Sequence, residues 1–167
     1  MEVWNAYNID RQKLPHLLVR EEPIPAGQFH LCVNVFVRHS DGDFLFMHRS
    51  PKKRQYPNYY ELGAGGSVLA EEDSYNAALR ELQEETGLVP TSIQLVNQET
   101  LLEEQCHFDY YEAIVDGDKT DIAYQTGETD GHIWVSLEKL EEFIENHDVF
   151  NEQKKWLKLM IEDNLKL

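Results

Sequence analysis

The chain has 167 residues, 41% of them hydrophobic, with three Trp, eight Tyr and seven Phe. That is the size of one domain with a real core, and it excludes a disordered chain. The formal net charge is −16 and the pI about 4.7, a field that repels duplex nucleic acid and anionic membranes, so neither is an expected partner.

An anionic substrate remains compatible with this charge if a bound metal or a few placed Arg and Lys supply local positive potential. The first residues, M-E-V-W-N-A-Y-N-I-D, carry no basic n-region and no apolar h-region, and no stretch approaches a membrane span. A cytoplasmic location is expected. Cys32 and Cys106 sit in strand-like apolar contexts without a C-x-x-C pair, so they read as two buried thiols and not as a disulfide.

In chain order, residues 1–29 read as irregular, with room for one short strand in E-V-W-N-A-Y-N-I-D. Two Pro and a Gly make 21–28 a loop. Residues 31–48 alternate Val33, Val35 and Val37 with Asn34, Phe36 and Arg38 and turn at Asp41-Gly42, a hairpin signal. Residues 49–66 read as a long surface loop. It concentrates positive charge in Arg49, Lys52, Lys53 and Arg54, either as a solvated basic loop or as a phosphate contact.

Residues 72–86 predict a helix with an apolar stripe of Tyr75, Ala78, Leu79 and Leu82, ended by Gly87 at C′. T-S-I-Q-L-V-N-Q-E-T-L-L-E-E and H-F-D-Y-Y-E-A-I-V predict strands. Residues 116–131 form an acidic loop with room for a short strand, H-I-W-V-S a strand, and L-E-K-L-E-E-F-I-E-N-H a short helix. A terminal helix over 150–165 gathers Phe150, Trp156, Leu157, Met160, Ile161 and Leu165 on one stripe. The order is not a run of βαβ units. A single α/β domain over 1–167 with a mixed sheet is expected.

The helix raises a chemical question. Glu81, Glu84 and Glu85 crowd into about one turn beside Ala77, away from the Tyr75–Leu82 stripe. Like charges at these spacings repel by roughly 0.2–0.5 kcal/mol per pair, and they oppose the helix dipole. A solvated acidic face is the plain explanation. Against it stand the mutual repulsion, the small Ala77 and the glycine-rich turn Gly63-Ala64-Gly65-Gly66 before the same helix. A tight carboxylate cluster suits Mg²⁺, which takes one or two carboxylates plus water and phosphate oxygens.

Gly66, five residues, Glu72, seven residues, then Arg80-Glu81-Leu82-x-Glu84-Glu85-x-Gly87-Leu88 resembles the Nudix box over 66–88, with no departure at a fixed position. The resemblance implies a Nudix-type α/β/α sandwich with a mixed β-sheet. It implies Mg²⁺ or Mn²⁺ held by Glu81, Glu84 and Glu85, and a Glu72–Arg80 pair bracing loop to helix. It also implies hydrolysis of a diphosphate bridge in a nucleoside diphosphate linked to another group, a small-molecule substrate.

The base is a box glutamate, with Glu84 the candidate, or a distal acid. Glu128 is the distal candidate, and Glu103, Glu104 and Asp130 are alternatives. Arg49 and Arg54 are candidate phosphate contacts beside Gly65 and Gly66. Tyr60 is read as core. F-H-L-C-V-N-V-F-V and Y-P-N-Y-Y-E-L-G-A-G-G look like the isopentenyl-diphosphate-isomerase-like branch, and His30 matches a metal-ligand His there. The isomerase Cys and His positions, however, are Gly65 and Ser67, so isomerase chemistry is the weaker alternative. A nucleotide sensor that binds without cleaving is the other. The oligomeric state stays open, a homodimer included.

Overall fold

The computed structural model describes residues 1–165; for Asn164 and Leu165 only the helical backbone is described, so the expected placement of Leu165 on the terminal stripe lies outside the described residues. The N-terminal segment holds the one short strand for which the sequence left room and a second, over 13–19, that it did not show. β1 (Val3–Tyr7) and β2 (Lys13–Val19) pair as a two-stranded antiparallel sheet, with Val3 opposite Val19. Burial of Trp4, Ala6 and Leu18 in their own small cluster holds the ribbon. The ribbon docks on the larger sheet through paired hydrogen bonds between Tyr7 and Phe29, both 2.9 Å.

β3 (His30–His39) and β4 (Phe44–Arg49) form the expected hairpin around Asp41-Gly42, but they pair with each other only at its tip, Arg38 opposite Phe44. Beyond the tip the two strands part, and residues 60–67 enter between them. β5 (Tyr60–Leu62) pairs with β4, and β6 (Ala64–Ser67) pairs with β3. The long surface loop expected over 49–66 is therefore confined to 50–59. These two strands are too short, and the second too glycine-rich, to show a period of two. Gly63 makes the crossing: its φ is +79°, and a Cβ there would lie 1.8 Å from the Val35 carbonyl oxygen.

β7 (Ser92–Leu101) and β8 (Cys106–Val115) add an antiparallel pair, and β8 runs parallel to β3. β9 (Thr129–Val135) lines the other edge of β4, beginning three residues before the expected strand. The sheet is therefore mixed.

Alternation along the central strands gives each face its own core. Val33, Val35, Val37, Leu45 and Met47 face one way, toward Ala77, Ala78 and Leu82 of α1 (Ser74–Thr86). Phe36, Phe44 and Phe46 face the other way, toward Leu140, Phe143 and Ile144 of α2 (Leu137–Asn146) and Leu157 of α3 (Asn151–Leu165). The result is the α/β/α sandwich. Trp156, Met160 and Ile161 pack at the margin of the second core, as the terminal stripe anticipates, and Tyr60 packs there too. Among the described residues no helix is long and apolar enough to cross a membrane.

Candidate active site

Helix α1 begins at Asp73, whose side chain accepts the Asn76 N–H at 2.8 Å. It stops at Gly87, whose φ of +73° and N–H bond to Gln83 O form the C-terminal cap. These caps fix where the helix starts and stops. Of the expected stripe, Ala78 and Leu82 are buried and Leu79 is half-buried, but Tyr75 is exposed, and the buried face takes in Ala77, Glu85 and Thr86 instead. The carboxylates thus divide. Glu85 belongs to the buried face, Glu81 lies at its edge, and Glu84 projects into solvent. An aromatic at position 75 resembled core in the sequence, but the sheet offers that end of the helix only the edge of Tyr111.

The loop before the helix is tied to it by Arg80. Its guanidinium donates to both Glu72 oxygens, the shortest contact being 2.5 Å, to Ser67 O at 3.1 Å and to Glu81 Oε1 at 2.7 Å. Glu72 also accepts the Leu69 N–H at 3.0 Å. This charge-assisted set holds Glu72 below the ordinary carboxylate range, Arg80 outweighing partial burial, and brings β6 against α1. Gly66 then lies so close to Glu81 that a Cβ would stand 2.2 Å from its Oε1. Gly65 donates its N–H to Glu85 Oε2 at 3.1 Å.

A third acid stands here that the sequence reading did not single out. Glu61, on β5, is largely buried and pairs with Arg49 at 3.0 Å. Burial raises its pKa despite Arg49. Burial first, and the Glu61 and Glu81 charges next, push Glu85 well above the ordinary range. Burial pushes Glu81 to about 7, with Glu84 and Glu2 adding and Arg80 opposing. No period marks Glu61, because its three-residue strand is identified only by what lies on either side of it.

Glu81, Glu84 and Glu85 line one groove of about 580 Å³, together with Gly65, Gly66, Arg49, Lys53 and Glu128. Lys53 is ion-paired with Glu128, which brings this distal acid to the carboxylates. Arg49 is fixed by Glu61 and by the Gln55 and Tyr56 carbonyls, each at 3.2 Å. It stands between the groove and a second cavity of about 420 Å³ lined by Tyr56, Tyr59, Phe108, Tyr110 and Phe150.

Arg54 is exposed and lines an adjoining depression of about 790 Å³ that shares Arg20, Arg49, Lys53, Gln55 and Glu128 with the groove, whereas Lys53 lines the groove itself. Glu103 lies exposed in the β7–β8 turn. Glu104 lines the aromatic cavity. Asp130 is bonded to His48 at 2.5 Å on the exposed side of β9. None of these three lines the carboxylate groove.

The donor set fits a hard divalent cation. Carboxylates of Glu81, Glu85 and Glu61 are desolvated together beside fewer cations than their charges require, and burial of unpaired like charges is costly. Arg80 is already engaged by Glu72. A divalent cation held by these carboxylates would offset the repulsion that the helix sequence displays.

The NUDIX domain pattern matches residues 28–160. An uncharacterized Nudix hydrolase of Listeria innocua is 35% identical over 146 residues, covering 84% of this chain and 83% of that protein. A Nudix hydrolase of Deinococcus radiodurans is 32% identical over 79 residues, 47% of this chain and 46% of that one. Among solved structures, the Deinococcus radiodurans protein DR0079 superposes with a TM-score of 0.77 at 21% identity, covering 94% of this chain and 98% of that chain. The NUDIX domain of Shewanella oneidensis NrtR, complexed with ADP ribose, gives 0.62 at 16% identity, covering 88% and 93%. At these identities both structures show a shared fold alone.

Proposed function

The chain belongs to the Nudix hydrolase family, and from that membership we propose that it is a Mg²⁺- or Mn²⁺-dependent enzyme cleaving the diphosphate linkage of a nucleoside diphosphate derivative. The observation that carries this reading is the desolvated pair Glu81 and Glu85, opening on a groove that also holds Glu84, Arg49 and Lys53, with Glu61 beside Glu85 on the wall of the adjoining cavity. Glu81, Glu84 and Glu85 are the residues that would hold the cation. When bound, the cation supplies Lewis-acid polarisation of phosphoryl oxygens and acidifies a water.

The chain's own residues do the rest. Arg49 keeps one fixed orientation and offers its charge to a phosphate at the junction of groove and cavity. Gly65 and Gly66 let the diphosphate approach the backbone without a side chain between. Glu84, exposed and loosely held by Arg80 at 3.4 Å, is free to take the proton of the attacking water. Glu128 is the other candidate base and accepts a proton once its Lys53 partner swings to the substrate. The aromatic cavity suits the planar or uncharged end of the substrate.

The test is a panel of nucleoside diphosphates, nucleoside diphosphate sugars, ADP-ribose and isopentenyl diphosphate, with and without Mg²⁺, assayed for hydrolysis and isomerisation. ADP-ribose is included because the Shewanella domain binds it. Turnover of at least one diphosphate that requires the cation, and falls by about 100-fold or more in Glu84→Gln or Glu128→Gln, is expected. Binding without turnover across the panel identifies a sensor instead and overturns the hydrolase reading.

A further inference from the structure

Away from the carboxylates, we propose that His30, Cys32 and Cys106 form a second metal site, one for a soft divalent cation such as Zn²⁺. One donor atom from each residue lies within 4.8 Å of the other two. Cys32 Sγ is 3.7 Å from His30 Nδ1 and 3.8 Å from Nε2. Around a tetrahedral Zn²⁺, with Zn–S about 2.3 Å and Zn–N about 2.0–2.1 Å, a sulfur and a nitrogen stand roughly 3.5 Å apart and two sulfurs roughly 3.8 Å. The three donors need shifts of about an ångström or less to reach that geometry.

The sheet builds this cluster. β3 and β8 are parallel with His30 directly opposite Cys106, and Cys32 is two residues further along β3, opposite Phe108. All three side chains therefore emerge on one face. Two thiols and an imidazole are a borderline-soft donor set that selects Zn²⁺ over Mg²⁺.

A disulfide is the competing explanation for two neighbouring thiols, but the register opposes it. An offset of two residues across one strand spacing separates the Cα atoms by about 8 Å, beyond the usual 4.4–6.8 Å of a bridge.

The fourth position is open. Cys32 lines the aromatic cavity, and Ser67 Oγ lies 3.9 Å from its sulfur. A water or a donor atom of the molecule in the cavity completes the tetrahedron. The site stands independently of the hydrolase reading, because it shares no ligand with the carboxylate groove.

The experiment is Co²⁺ titration of chelator-washed protein in saturating Mg²⁺, followed by displacement with Zn²⁺. One Co²⁺ per chain with thiolate-to-cobalt absorption is expected, accompanied by a change in Trp fluorescence, since Trp4 stacks on His30 at 4.4 Å. Cys32→Ser, Cys106→Ser and His30→Gln should each weaken Zn²⁺ by about 100-fold or more, while Glu81→Gln and Glu84→Gln keep the absorption. Should the thiol variants fail to fold, the absorption of the wild type decides. Absence of a thiolate band in the wild type, its retention in Cys32→Ser, or loss of both free thiols to a disulfide in metal-free protein overturns the site.

Discussion

Gly66 and Glu81 compete for one volume. The glycine has no Cβ, so the carboxylate can occupy the place where that atom would be. Gly66→Ala is expected to displace Glu81 from the groove and lower turnover by about 10- to 100-fold. Its cost in stability should be modest, because the end of a Glu side chain can move. Steady-state kinetics beside thermal unfolding separates the two effects.

The raised Glu81 has a thermodynamic signature as well. A carboxyl whose folded pKa exceeds its unfolded one binds more protons when folded, so stability is full below the unfolded value and declines as pH rises toward the folded one. For metal-free protein this places the loss between about 4.5 and about 7, the ordinary and the raised values. The loss is on the order of 3 kcal/mol. Thermal unfolding in chelator across that range should show a decline that is shallower in Glu81→Gln. A parallel decline in both proteins counts against the shift. At this scale the sequence shows Glu81, Glu84 and Glu85 by spacing, whereas it leaves Glu61 unmarked. Glu61 meets them only because β5 enters between β3 and β4.

Among the elements, the N-terminal ribbon depends on an ion pair made at long range. Arg11, in the turn between β1 and β2, pairs with Asp109 on β8, and Asp109 is buried with Gln98 as a further partner at 2.9 Å. Arg11→Ala leaves that carboxylate without its cation, at a cost of about 3 kcal/mol. Asp109→Asn combined with Arg11→Ala should recover much of it, since the uncompensated charge is then gone. Chemical denaturation of the two variants makes the comparison. Equal stability of the single and double variants contradicts this account.

Helix α1, the β3–β4 turn and the terminal helix are legible from period, caps and turn residues, all of which are local. The rotation of α1 is not. Ala77 and Glu85 turn inward and Tyr75 outward because β6 and the Arg80–Glu72 set dock that side of the helix. The same docking separates an exposed Glu84 from a buried Glu85, two neighbours that look alike in sequence.

Over the whole molecule, a charge of −16 makes divalent cations general counter-ions, so a specific site has to be distinguished from screening. Mg²⁺ at about 100 times its Kd should stabilise the native state by about 2.7 kcal/mol, a rise in Tm of roughly 5–10 °C for a chain of this size. NaCl at equal ionic strength should give much less, and Glu85→Gln should remove most of the difference. A similar rise with NaCl, or in the variant, assigns the effect to screening.

The sequence by itself determined the family, the mixed α/β class and the box carboxylates, because spacing along a helix and the residues that cap it are properties of neighbours in the chain. Tertiary structure alone decided which acids are desolvated, which of Lys53 and Arg54 turns toward them, and that Glu61 joins them. It also decided that Cys106, more than seventy residues from His30 and Cys32, shares one face of the sheet with them. Burial and charge coupling depend on what packs across a strand or against a helix, and no period in the chain records that. The cluster R-E-L-Q-E-E-T-G reads as repulsion on one helix. In the fold its acids are divided between a buried Glu85, a Glu81 at the edge and a Glu84 in water.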